Sequence, residues 1–281
     1  MITIPGLYPD LAYHSPIRHT PTRALTYSGI KILVTETPEN FIAPRTKKSE
    51  AMNFGSIVHA LALDKGDKFQ ISPYSDYKTK DAREWRDEVI EQGDIPIKPA
   101  DYAEAADMAK VIKRKIHVAL DGAKYQTEVP FFWQEGETWC SGMADVWCEE
   151  RSMVIDPKVT SRIHGEIARA HIYNQGWHLQ SAWYRRGLEA IMPERAGRLV
   201  FANLLISPDE PYTSRLISVS EAWRHIGERE CLRALRLFDQ CMATDTWPGY
   251  PQEVEVLDAP VWAAMRAMDA EAQEDNEGSS D

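Results

Sequence analysis

The sequence has few cysteines, and none of them is spaced as a metal or redox motif requires. The four cysteines of the 281-residue chain are Cys140, Cys148, Cys231 and Cys241. No pair has the CxxC spacing of zinc ribbons and thiol redox sites. We therefore expect free thiols in a reducing compartment.

Long apolar runs are missing as well. No run of 18 apolar residues occurs, so we expect no membrane span. Residues 1–10 lack the basic and apolar stretches of a signal peptide, which predicts a cytoplasmic location. With 43% apolar and 27% charged residues, the composition is that of an ordinary globular protein.

An excess of positive charge is also absent, because the formal net charge is −11. Six acidic residues and no basic residue follow Met268, so the rest of the chain carries −5. Basic clusters occur at Lys78, Lys80, Arg83 and Arg86, at Lys113, Arg114 and Lys115, and at Arg185 and Arg186. Each cluster also fits a solvated helix face. Bulk charge therefore neither supports nor excludes nucleic acid as a partner.

Apolar periodicity predicts an α+β (α/β) fold. The predicted helices are 28–35 with Ser28 as the N-cap, 50–64, 79–92, 99–120, 161–191 with a break near Tyr173, and 220–243. The predicted strands are 125–133, 138–148, 153–159, 199–206 and 215–219. The first three strands are separated by short turns and predict an antiparallel meander. The almost continuous apolar strand 199–206 predicts a central position in a mixed sheet flanked by helices.

Three regions follow from this reading. Residues 1–27 are rich in Pro, Thr and Tyr and are predicted to form an extended N-terminal arm. Residues 28–250 are predicted to be a single domain. Residues 251–281 are predicted to hold a C-terminal helix and an acidic, disordered tail.

Two local patterns place carboxylates on neighbouring strands. Asp156-Pro157-Lys158 ends an apolar strand, and residues i and i+2 of a strand face the same way. The segment Gly142 to Asp145 lies on the preceding strand, so Asp145 and Asp156 can approach each other. Two adjacent carboxylates need a cation, and oxygen ligands suit Mg²⁺ or Mn²⁺. Taken alone, the first pattern is typical of a surface ion pair, and the second is typical of a turn or capping aspartate.

Two further patterns lie on predicted helices. Gly55 and His59 are one helical turn apart, and Gly55 would let another backbone come close. Gln180 and Tyr184 share a helix face at i and i+4. Taken alone, these are a core histidine and a packing face with two polar tips.

The order of the four patterns, GxxxH, GxxD, DxK and QxxxY, resembles the RecB-like branch of the PD-(D/E)xK nucleases. Three flanking segments are similar to the phage exonuclease VIII (RecE) nucleases of that branch. They are Tyr27 to Leu33 with Thr37 to Phe41, Met52 to His59, and Trp247 to Tyr250. The likeness extends from about residue 27 to residue 250. It implies a restriction-endonuclease-like core.

The resemblance also implies a role for each matching position. His59, Asp145 and Asp156 match the metal ligands, and Lys158 matches the catalytic lysine. The carbonyl oxygen of Pro157 matches a further metal ligand. Auxiliary positions are Glu128, a carboxylate on the first strand of the meander, and Gln180 and Tyr184, which would position DNA or the helix at the site.

The function implied by the resemblance is a metal-dependent exodeoxyribonuclease in the cytoplasm of a bacterial host cell. Such an enzyme holds two Mg²⁺ or Mn²⁺ ions and digests linear double-stranded DNA from 5′ to 3′. It leaves a 3′ single strand for a RecT-like annealing protein in phage-type homologous recombination. Relatives assemble into rings, so a homo-oligomeric ring is expected here.

One departure from the family pattern keeps alternatives open. The middle residue of DxK is Pro157, whose missing N–H predicts a bulge or an unpaired edge. The alternatives are a restriction-type endonuclease or an iron–sulfur relative on the same fold, and a catalytically weak or inactive DNA-binding or interaction protein. The cysteine positions do not match the iron–sulfur pattern. The intact set of His59, Asp145, Asp156 and Lys158 disfavours an inactive protein.

Overall fold

The computed structural model describes residues 4–9, 11, 19–44 and 50–268. The chain divides into two units, Met1–Trp247 and Pro248–Asp281. The predicted acidic tail after residue 268 lies outside the described residues. In the second unit, residues 251–260 have no regular secondary structure and residues 261–268 are helical.

The first unit contains helices and strands in the order expected for an α+β domain. The helices are α1 (Tyr27–Thr35), α2 (Pro38–Ile42), α3 (Glu50–Leu63), α4 (Lys80–Glu91), α5 (Pro99–Ala119), α6 (Gly165–Asn174), α7 (Trp177–Ile191) and α8 (Glu221–Thr244). The strands are β1 (Gly6–Leu7), β2 (Leu25–Thr26), β3 (Phe69–Ile71), β4 (Ile95–Ile97), β5 (Gln126–Glu135), β6 (Thr138–Cys148), β7 (Met153–Val159), β8 (Val200–Ile206) and β9 (Ser214–Ile217).

The main sheet is mixed, with the strand order β1-β5-β6-β7-β8-β9. Strands β5, β6 and β7 form the antiparallel meander, and β8 runs parallel to β7. Because β9 pairs with the other edge of β8, this apolar strand lies inside the sheet. The predicted mixed sheet, meander and internal apolar strand are confirmed.

Helices cover both faces of the sheet. Val154 of β7 packs in one cluster with side chains of α1, α7 and α8. The next residue, Ile155, packs in a second cluster with side chains of α3 and α5. Successive residues of a strand point to opposite faces, so the apolar run of β7 packs against the helices on both sides of the sheet. The predicted architecture, a mixed sheet flanked by helices, is confirmed.

Two predicted helix boundaries are wrong. Helix α1 begins one residue before Ser28, and the side chain of Thr26 caps it by accepting a hydrogen bond from the backbone N–H of Gly29. Both Ser and Thr are good N-caps, so the sequence alone does not choose between them. The predicted helix 161–191 begins only at Gly165. The break predicted near Tyr173 is present, at Gly176, whose φ of 72° is left-handed.

A second, two-stranded sheet, the short helix α2 and the two-residue strands β1 and β2 were not predicted. Strand β4 pairs in parallel with β3 and carries Pro96 at its centre. From the sequence, Pro96 and Pro99 predict only a break between two helices. A proline is tolerated in an edge strand because its missing N–H can face away from the partner.

No helix in the described part of the chain combines the length and the apolar character that crossing a membrane needs.

Candidate active site

At Asp145, strand β6 is paired with neither of its neighbours β5 and β7. The pairing of β6 with β7 ends at Val146 and Ile155, one residue before the two aspartates would face each other. On the other edge, the pairing of β5 with β6 omits Glu128 and Asp145. Glu128 has a left-handed φ of 48° there. The register of β5 with β6 is the same on both sides of this gap, so one pair is skipped and no residue is inserted. The carboxylates of Glu128, Asp145 and Asp156 meet in one cleft at this point.

The imidazole of His59 lies between two of these carboxylates. Its Nε2 is 2.9 Å from Oδ2 of Asp145, and its Nδ1 is 3.5 Å from Oε1 of Glu128. Helix α3 supports this position because Ile57 and Val58, just before the histidine, are buried in the core. His59 therefore belongs to the site and is not an isolated core histidine.

Asp156 is almost fully buried, with 1% of its side chain exposed, and three donors surround it. Nζ of Lys158 is 2.7 Å from its Oδ2. Nε2 of Gln180 donates to its Oδ1 at 2.7 Å, and Nδ2 of Asn203 donates to its Oδ2 at 3.1 Å. The carboxylate is thus held in one orientation by side chains from β7, α7 and β8.

Burial and neighbouring charges act in opposite directions on the ionisable groups. Burial, with a contribution from the Asp145 carboxylate, raises the pKa of Asp156 to about 6 even though Lys158 lowers it. Burial works against the charged form of His59, but the carboxylates of Asp145, Glu128 and Asp156 together outweigh it and the pKa of His59 is raised. Burial also opposes the charged form of Lys158, and Asp156 outweighs it, so the pKa of Lys158 is raised. At Asp156 the cationic partner therefore offsets only part of the effect of burial.

Tyr184 lies beneath the site and not in its opening. Its ring packs edge-on against Phe131 and Phe201, with ring centroids 5.3 and 5.5 Å apart. Burial raises the pKa of its hydroxyl well above the usual value, with smaller contributions from Asp145 and Asp156. Of the predicted pair on α7, Gln180 reaches the cleft and Tyr184 supports the helix from below.

The metal-ligand candidates and Lys158 line a cleft of about 1850 Å³. The predicted site residues on its wall are His59, Glu128, Asp145, Asp156, Pro157, Lys158 and Gln180. Pro157 lies beyond the last pair of β6 and β7, while β7 keeps its register with β8 at Leu204. The pairing with β6 has therefore already ended where Pro157 lacks its N–H, so the proline interrupts no pair between β6 and β7.

The imidazole and carboxylates of the site are of the chemical type that binds a divalent cation. In this structure they form contacts with neighbouring side chains instead. In the described residues, no group of three or more His, Cys, Asp or Glu side chains is arranged to hold a metal ion as it stands. The reason is local, because Nε2 of His59 contacts Asp145 and Nζ of Lys158 contacts Asp156. An imidazole and adjacent carboxylates are suitable ligands for Mg²⁺ or Mn²⁺, with the imidazole better suited to Mn²⁺. Binding would require the contact between His59 and Asp145 to open.

Two features of the site were not anticipated. Asn203 was missed, although a polar residue within the apolar strand 199–206, one strand away from Asp156, was a usable signal. The expectation for Gly55 was wrong, since within the described part of the chain no atom would lie within 4 Å of an added Cβ there. Gly142 is the glycine that permits a close approach, because a Cβ at this position would overlap the Phe131 ring.

All four cysteines are buried and free, as expected. Cys140 and Cys148 are part of the sheet, and Cys231 and Cys241 are part of α8.

Comparisons with solved structures place this fold among known ones. A crystal structure from Eubacterium rectale, of a protein provisionally described as an exonuclease, superposes with a TM-score of 0.56. It is 15% identical in sequence, and the alignment covers 85% of this chain and 90% of that one. A phage-related exonuclease from Haemophilus somnus aligns with a TM-score of 0.34 at 11% identity, covering 79% of this chain and 96% of that one.

The sequence comparisons give the family. No curated protein matches the chain. A family model described as a PDDEXK-like domain of unknown function (DUF3799) matches residues 33–260, which include every predicted site residue. The superfamily predicted from the four motifs is therefore confirmed, and this chain belongs to the PDDEXK-like family DUF3799.

Proposed function

We propose that this chain is a metal-dependent exodeoxyribonuclease that digests linear double-stranded DNA. The observation that carries the proposal is the convergence of His59, Asp145, Asp156 and Lys158 in one open cleft. Within the PD-(D/E)xK pattern these are the groups that bind metal and assist phosphodiester hydrolysis. The left-handed backbone of Glu128, the unpaired position opposite Asp145 and the end of the β6–β7 pairing supply the local backbone reason for their meeting.

The side chains divide the chemistry between them. His59, Asp145 and Asp156 would hold Mg²⁺ or Mn²⁺, with two ions expected, and the Pro157 carbonyl is a further ligand candidate. The bound metal supplies an activated water and offsets negative charge on the phosphate. Lys158 orients the attacking water and stabilises the charge that develops on the phosphate oxygens. Gln180 keeps Asp156 in a fixed orientation through its 2.7 Å hydrogen bond.

Digestion from a DNA end, in the 5′ to 3′ direction, is the finer part of the proposal. It is supported by the likeness of the flanking segments to the exonuclease VIII nucleases. The same likeness supports a RecT-like annealing protein as the user of the 3′ single strand, a homo-oligomeric ring and a bacterial cytoplasm as the location. A ring could combine a basic DNA channel with the acidic exterior that a net charge of −11 requires.

The test compares two forms of one plasmid, the covalently closed circle and the same DNA linearised and end-labelled. With Mg²⁺, the proposal predicts release of nucleotides from the linear form, survival of the closed circle and no reaction in a chelator. Equal cutting of the closed circle would instead favour the restriction-type endonuclease. Binding of linear DNA without digestion in either Mg²⁺ or Mn²⁺ would favour the inactive interaction protein.

A further inference from the structure

Asn203 is a buried amide within an apolar strand. It lies at the centre of β8, whose other residues are Val, Phe, Ala, Leu and Ile, and 2% of its surface is exposed. In the parallel pairing of β7 with β8, Asn203 is the register partner of Asp156. A buried amide in such a strand is costly unless its hydrogen bonds are made. Its position opposite Asp156 supplies the hydrogen-bonding partner.

Asn203 and Lys158 share one oxygen atom of Asp156. Nζ of Lys158 is 2.7 Å from Oδ2, and Nδ2 of Asn203 donates to the same Oδ2 at 3.1 Å. Gln180 donates to the other oxygen, Oδ1. The two amides have no charge and lie on core elements, whereas the Lys158 side chain is 26% exposed and lines the cleft.

The shared oxygen matters because Lys158 has two tasks. In the proposed reaction its ammonium group must turn to the water and the phosphate, which weakens its contact with Asp156. Without another donor, Oδ2 would lose its hydrogen bond at that moment and the carboxylate could rotate. The amide of Asn203 remains on the core side and can keep Oδ2 in place.

We propose that Asn203 is a positioning residue that holds Asp156 in its ligand orientation while Lys158 acts on the substrate. The role rests on the proposed function, because only a site that binds metal and uses Lys158 in the reaction needs it. Partners that orient metal ligands in this way typically change metal affinity about 10–100-fold when removed.

The experiment measures Mn²⁺ binding to the full chain by calorimetry, without DNA. Asn203→Leu removes the donor at nearly equal volume, and we expect Mn²⁺ affinity to fall about tenfold. The matched control is Ser218→Ala, which removes a hydrogen bond of 2.8 Å to the carbonyl of Phe201 on the same strand but does not touch Asp156. The control is expected to bind Mn²⁺ as the unchanged protein does.

A second measurement separates positioning from general damage to the fold. In a Lys158→Ala background, Asp156 has lost its ammonium partner and depends more on Asn203. The further change Asn203→Leu should therefore cost more Mn²⁺ affinity there than it costs alone. A purely structural role of Asn203 would give the same fold-change in both backgrounds. Asn203→Ser, which leaves room for a water molecule, replaces Asn203→Leu if the latter does not fold.

The outcomes distinguish the two proposals. A loss of Mn²⁺ affinity of threefold or more for the Asn203 variant, larger in the Lys158→Ala background, supports the positioning role. A smaller loss, or an equal loss in both backgrounds, overturns that role and leaves the proposed function intact. If the unchanged protein does not bind Mn²⁺ at all, the proposed function and the positioning role both fail.

Discussion

Glu128 has a backbone conformation that residues other than glycine seldom adopt. Its φ of 48° is left-handed, and such a conformation costs roughly 1–2 kcal/mol for a residue with a Cβ. The conformation places the carboxylate 3.5 Å from His59 and interrupts the β5–β6 pairing at Asp145. Strain of this kind collects at functional sites, because there it is retained for the geometry it gives.

A glycine at this position tests whether the strain serves the site. Glu128→Gly removes the left-handed penalty and the half-buried carboxylate, while glycine adds about 0.5–1 kcal/mol of backbone entropy cost. We predict a free energy of unfolding that is unchanged or about 1 kcal/mol higher, together with slower DNA digestion. Urea unfolding and digestion rates measure the two effects. A clear loss of stability would show that Glu128 is a structural residue.

Most residues of the site could be predicted from the sequence, whereas the only sign of Asn203 was its polar side chain within an apolar strand. His59, Asp145, Asp156 and Lys158 occur at family spacings on elements with clear periodicity, and the structure brings them together. Asn203 belongs to no motif, and its importance depends on the register between β7 and β8, which a sequence does not state. The backbone conformation of Glu128 likewise follows from the pairing of β5 with β6 and from no local pattern.

At the scale of elements, the two glycines of the motifs have different reasons to be glycine. Gly142 of β6 faces the fully buried ring of Phe131, which an added Cβ would overlap. Gly55 lies within α3, and in the described residues an added Cβ would meet nothing within 4 Å. The close-packed strand thus requires its glycine and the helix does not.

The matched pair Gly142→Ala and Gly55→Ala tests this difference. Gly142→Ala should lower the free energy of unfolding by about 1–3 kcal/mol, because the buried ring must move. Gly55→Ala should raise it by up to about 1 kcal/mol, because alanine is the better helix former. Denaturant unfolding of both variants measures the changes. Equal destabilisation by the two substitutions would contradict the packing described here.

Most of the elements that were predicted correctly are long. The meander and the helices of 12 residues or more have many periodic positions, so local errors average out. The missed helix α2 has five residues, and the missed strands β1 to β4 have two or three residues each. Such short segments contain too few periods to be recognised, and the proline in β4 concealed a strand that only its pairing with β3 reveals.

At the scale of the whole molecule, Trp247 closes the core of the first unit. Its ring stacks on Phe41 of α2 with centroids 5.2 Å apart and meets Phe238 of α8 edge-on at 6.1 Å. The first unit ends at this residue. The segment Trp247 to Tyr250 resembles a family motif in the sequence, and its first residue packs against both α2 and α8.

Two chain lengths test where the folded unit ends. A chain of residues 1–247 should unfold within about 3 °C of the full chain, because its internal packing is complete. Trp247→Ala in the full chain should cost about 2 kcal/mol, less than a fully buried tryptophan, because Trp247 is only partly buried. Thermal unfolding followed by circular dichroism measures both. A large loss in the shorter chain would place part of the folding unit after Trp247.

The most direct test of the account is the rate of nucleotide release from linear duplex DNA with Mg²⁺, measured for the unchanged protein, Asp145→Asn and Lys158→Ala. Arg151→Ala, which removes an exposed ion pair with Asp121, is the control. The account predicts rapid release by the unchanged protein and the control, and a loss of at least about 100-fold in the other two variants with their folds intact. Wild-type rates in Asp145→Asn and Lys158→Ala would contradict it.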